Sequence, residues 1–279
     1  MDRDQLLERV LTLADEVDWQ AAAELLRDHL DDFDEDPAVH CWLGVAEREL
    51  GMEGVAYERF KRALALDPTD PHVLATAGNG LAHFDDPDAE VALRAAAVTA
   101  PEVAVGRFYY GAYLAREGFV EQGLEELKAA RELDPEDPQI AYELAVAHAF
   151  DGDHDRATDI LADAVRLAPE DGWTRVVFGL ELLEAGRLDE AAGELISGAR
   201  LRGDDVYAQL AAALAAAATG LDEDAWEMLE RARMNAVEAD LVLVTNVEDR
   251  LDLGHEESQA LLMDDLAPNM LRLRLSERP

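Results

Sequence analysis

Lysine is almost missing from this chain: Lys61 and Lys128 are the only two among its 24 basic residues, the rest being arginines. Bases of any kind are too few for the 62 acids, and the formal net charge is −38. Such a surface repels nucleic-acid phosphates and anionic lipid, which excludes DNA and RNA as expected partners and disfavours membrane surfaces. There is one cysteine, Cys41, so no intrachain disulfide can form, as suits a reducing compartment. No apolar run approaches 18 residues; the nearest, "LAAALAAAATG" from Leu210, is too short and too alanine-rich to insert in a bilayer. The opening "MDRDQLLERVL" has neither a basic stretch nor an apolar core, so no signal peptide is expected and a cytoplasmic protein is. The acid excess reads either as plain surface solvation or as adaptation to a salt-rich cytoplasm, where screening relieves self-repulsion. A GC-rich genome would also favour Arg over Lys.

What the chain does have is a period. "LDPTDPHV" at 66–73 returns as "LDPEDPQI" at 133–140, with "TAPEVAVG" between them and "LAPEDGWT" after them. Pro68, Pro101, Pro135 and Pro169 are separated by 33, 34 and 34 residues, and Pro37 and Pro71 by 34 in a second register. A fixed period of this size marks stacked supersecondary units. In 138–171, Ile140, Leu144, Val146 and Ala147 fall at helical spacing, "DGDHD" interrupts, and Ile160, Leu161, Ala164, Val165 and Leu167 resume it until Pro169. Each unit therefore reads as two short helices that bury their apolar faces only by stacking on their neighbours.

These residues resemble the tetratricopeptide repeat (TPR) family. Its pattern is met in 37–70 by Leu43-Gly44, Ala56, Phe60, Ala63 and Pro68, and in 138–171 by Leu144-Ala145, Ala157, Leu161, Ala164 and Pro169. Repeats are expected at 3–36, 37–70, 71–103, 104–137, 138–171, 172–205, 206–239 and 240–268, the third with one residue missing from its inter-helix turn and the last cut short at Pro268. The expected fold is an all-α, right-handed α-solenoid of seven to eight TPR-like helix pairs over 1–268, with a basic and apolar tail at 269–279. Gly44, Gly78, Gly111, Ala145 and Gly179 stand where paired helices cross, and a larger side chain there would force them apart. Gly80, in the same helix as Gly78, is expected only to weaken it.

Chemistry is sparse. "AGNGLAH" from Ala77 has neither the preceding strand nor the GK[ST] of a phosphate loop. In "DGDHD", counted from Asp151, an EF-hand would need Gly sixth and Glu twelfth, but Arg156 and Ala162 stand there. The seven histidines form no metal-ligand spacing, and acid pairs are too common to single out a catalytic pair. No enzyme activity, cofactor or metal is expected.

The resemblance implies that the first helix of each pair lines a concave face. By that register the face carries Phe108; Tyr142, Val146 and Phe150; Trp173, Val176, Leu180 and Leu183; and Tyr207. Apolar concave surfaces with aromatic anchors bind peptides or helices, although tight curvature would make the same residues plain core. Asn79 is the one match to the family's clamp for chaperone C-terminal carboxylates, and the lysines that clamp needs are absent. The tail "NMLRLRLSERP" alternates Leu with Arg at a strand-like period of two, and is either a frayed end or a segment that docks on an acidic apolar surface. The expected function is a non-catalytic adaptor for a protein or peptide partner. The alternative is a scaffold that self-assembles through its end repeats or tail, and the sequence leaves a homo-oligomer open.

Overall fold

The computed structural model describes every residue from Met1 to Pro279. The chain is all-α and divides into two compact units, one of residues 1–134 with the last two residues, the other of residues 135–277.

The first unit holds four consecutive helix pairs: α1 (Arg3–Asp15) with α2 (Trp19–His29), α3 (Pro37–Glu49) with α4 (Glu53–Ala65), α5 (Pro71–Ala82) with α6 (Asp88–Thr99), and α7 (Ala104–Arg116) with α8 (Val120–Leu133). The second continues with α9 (Pro138–Phe150) and α10 (His154–Leu167), α11 (Gly172–Glu184) and α12 (Leu188–Leu201), α13 (Val206–Ala218) and α14 (Asp222–Asn235), and α15 (Leu241–Leu253) and α16 (His255–Leu261). Within each unit this is the α-solenoid arrangement of TPR-like pairs.

The repeated acid–proline signature is a helix start. Asp36, Asp70 and Asp137 accept backbone N–H bonds from the first turns of α3, α5 and α9 at 2.7–2.9 Å, and the proline after each is the first helical residue. Asp caps satisfy amides the helix leaves unpaired, and proline has no N–H to lose there. Asp171 and Asp205 cap α11 and α13 in the same way.

A second periodic position emerges from the backbone. Val17, Gly51, Asp85, Gly118, Gly152, Gly186, Gly220 and Gly254 all have positive φ and all lie in the turn between the helices of a pair. Most intervals are 34 residues; the one of 33 follows Asp85, where the third pair loses its residue. Six of the eight are glycine, which takes this conformation freely. Val17 is β-branched at φ 59° and 70% exposed, so it carries strain without compensating burial. Left-handed backbone costs an L-residue ~1–2 kcal/mol, part of which the greater freedom of unfolded glycine offsets. Val17→Gly is therefore expected to stabilise by about 1 kcal/mol, raising the urea midpoint at unchanged slope. A lower midpoint would show that Val17 makes a favourable contact in its turn.

The chain end departs from expectation. Pro268 does not stop the eighth pair: the helical path passes through a π segment, Leu262–Leu266, into α17 (Ala267–Ser276). Proline is tolerated there because it lies in the first turn of α17, directly after a stretch where the α-type hydrogen-bond ladder is already broken. The Leu–Arg alternation is thus helix, not strand.

Candidate functional site

In the second unit the first helices of successive pairs are α9, α11 and α13. Val146, Val176, Leu180 and Leu183 are buried in one apolar cluster that also takes in Met270, Leu271 and Leu275 of α17. Tyr142 and Trp173 are half-buried against that cluster, while Phe150 and Tyr207 are 38% and 48% exposed. The tail supplies much of this closure, since α17 packs on α11. The Arg274 guanidinium carbon lies 3.2 Å from the centroid of the Trp173 ring, and that of Arg202 lies 5.3 Å from it. A cation over an indole face is attracted by the negative quadrupole of the ring, more strongly where water is excluded. Beside this stack is a cavity of about 310 Å³ lined by Trp173, Asp205, Tyr207, Met270, Leu273 and Arg274.

Phe108, the ninth expected residue, belongs to the first unit. It is buried, with its ring 4.7 Å from that of Tyr109, and is core rather than open lining. In that same unit Asn79 donates its side-chain N–H to the backbone oxygen of Pro279. Arg278 pairs with Glu117 at 2.7 Å and lies over the Tyr113 ring at 5.3 Å.

The buried glutamates Glu47, Glu143 and Glu181 all escaped the sequence reading. Glu181 on α11 is fully buried; one carboxylate oxygen accepts from His154 Nδ1 at 2.8 Å and the other has no partner. Burial raises its carboxyl above the ordinary glutamate range, against the hydrogen bond and charge of His154. A carboxyl raised in the native state contributes stability below its unfolded value and loses it as pH climbs through the native one. Glu181→Gln is therefore expected to exceed wild type in stability at pH 7, with the difference fading below the ordinary glutamate value of about 4.3. Chemical denaturation across that pH range checks it, and a variant weaker than wild type at pH 7 would mean the ionised pair is net stabilising.

No group of three or more His, Cys, Asp or Glu side chains is placed to hold a metal ion. "DGDHD" is the turn into α10: Gly152 takes φ 78° and Asp153 caps the helix at Arg156 N. Cys41 is buried, and burial pushes its thiol up to about 12, which removes it as a nucleophile. No helix is long and apolar enough to cross a membrane.

No curated protein matches the chain in sequence. Among solved structures, a chain of the APC/C hetero-tetramer Cut9-Hcn1 superposes with a TM-score of 0.70 at 18% identity, over 87% of this chain and 48% of its own, so this chain spans about half that length. Pseudomonas aeruginosa pilF gives 0.59 at 18% identity over 71% of this chain and 90% of its own. A thermophilic TPR protein of Thermus thermophilus gives 0.55 at 26% identity, over 65% of this chain and all of its own. Residues 111–172 match the family described as tetratricopeptide repeat, and the helix pairs of the chain share the fold of these solved relatives.

Proposed function

We propose that this protein is a non-catalytic adaptor of the cytoplasm that binds a peptide or helix of a protein partner on the α9–α11–α13 face of its second unit. The observation that carries this reading is that the face accepts a helix, with apolar side chains beneath and an arginine stacked on Trp173. Helix-in-groove recognition uses this combination of buried aliphatic anchors and one oriented polar contact. The tetratricopeptide match at 111–172 and the solved relatives agree in fold. The acid excess is read as adaptation to concentrated salt, in which the partner would be met.

The test is capture by the immobilised full chain in molar KCl, followed by mass spectrometry. Tyr142→Ala combined with Trp173→Ala is expected to keep its helicity, because both rings are only half-buried, and to lose the captured protein. Undiminished capture by the folded double variant would place binding elsewhere on the chain.

A further inference from the structure

We propose, resting on the adaptor reading, that α17 is a built-in occupant of the partner site, displaced by a helix of its own chemistry: cationic, with Met and Leu along one side and an arginine placed over Trp173. A helix that merely capped the end of the array would pack on the pair before it. α17 instead reaches α11, two pairs earlier within the second unit. It also lies in a basic stretch of an acidic chain: Arg272, Arg274 and Arg278 against Glu277 give residues 269–279 a charge of +2, which leaves −40 on residues 1–268. A basic segment of this kind is attracted by the net negative charge of the rest of the chain.

The grip is small and specific. Met270, Leu271 and Leu275 are the apolar anchors, and Arg274 is held in orientation by Glu277 at 3.0 Å while it stacks on Trp173. Leu273 is 60% exposed, and the side chain of Arg272 reaches only Asn269. The join to α16 is a π segment followed by proline, so α17 can leave without unwinding a continuous α-type ladder. A competitor with the same anchors and no tether to break gains the whole face.

The experiment uses a fluorescein-labelled synthetic peptide of residues 262–279, read by anisotropy against full-length wild type and a full-length variant carrying Leu271→Asp and Arg274→Glu. Releasing α17 removes the intramolecular competitor, so the variant is expected to bind the peptide about ten-fold or more tightly than wild type. Adding Trp173→Ala to the variant, or Arg274→Glu to the peptide, is expected to abolish that gain. Equal affinity for wild type and variant would overturn the proposal. So would a dimer of the variant that excludes the peptide, which would assign the face to a second copy. Should the variant lose its helicity, hydrogen exchange on wild type decides. Amides of 267–276 are expected to exchange faster than those of α11 and faster still with saturating peptide, and indifference to peptide would overturn the proposal. Peptide binding without capture of any foreign protein would retain self-occupation and sink the adaptor reading. Capture that is unaffected by releasing α17 would do the reverse.

Discussion

Gly179→Leu is expected to cost several kcal/mol and to unfold the second unit well before Gly193→Leu does. A Cβ added at Gly179 would sit 2.6 Å from Leu195 Cγ and 3.1 Å from the Leu195 backbone nitrogen. The leucine tip can rotate alone, but the backbone of α12 moves only with its helix, and Leu195 is fully buried. Overpacking of a core typically costs ~1–3 kcal/mol, and a full leucine against backbone belongs at or above the top of that range. Gly193, on α12, has nothing within 4 Å of its added Cβ, so replacing it costs no space. It gains up to ~1 kcal/mol in helix propensity instead. Urea midpoints for the pair measure the contrast. Equal midpoints would show that the 16-residue spacing from crossing glycine to facing leucine is not the packing unit of this fold.

The melting temperature is expected to climb by about 10 °C or more between ~0.1 M and ~2 M KCl, as the Debye length falls from about 10 Å to below 3 Å. The 24 basic residues cannot neutralise 62 acids, even though arginines such as Arg200 already hold two each, Asp224 at 2.7 Å and Glu227 at 2.9 Å. Salt weakens those exposed pairs as well, but each is worth little, so the relief of general repulsion decides the sign. The rise should flatten once screening is complete. A melting temperature indifferent to salt would remove the reading of the acid excess as adaptation.

The helix pairs were legible because one proline and one small residue recur in fixed phase, and backbone constraints of that kind survive in a single sequence. The crossing positions were legible too: Gly44, Gly78, Gly111 and Gly179 each face a large side chain of the second helix, Phe60, Leu93, Leu127 and Leu195. Gly80 was misjudged as a mere weak point. A Cβ there would lie 2.4 Å from the Phe60 ring, which belongs to the preceding pair, and a contact between pairs leaves no periodic mark. The tail was misread because Leu271, Leu273 and Leu275 alternate over too short a span to separate a period of two from a helix. What decides it is Arg274 reaching Trp173, about a hundred residues away in sequence. The concave register did not disclose the covering of α11 by α17, since exposure depends on what docks. Glu181 was hidden among many other acids, and burial with one carboxylate oxygen unpartnered sets it apart.

Light scattering coupled to sizing, run over a wide concentration range in both low and molar KCl, separates the adaptor from a self-assembling scaffold most directly, because a concentration-independent monomer favours the adaptor. The account predicts the mass of one 30.6 kDa chain at every concentration in both salts. A mass that grows with concentration in molar salt, where repulsion is screened, would contradict it and make the protein a self-assembling scaffold.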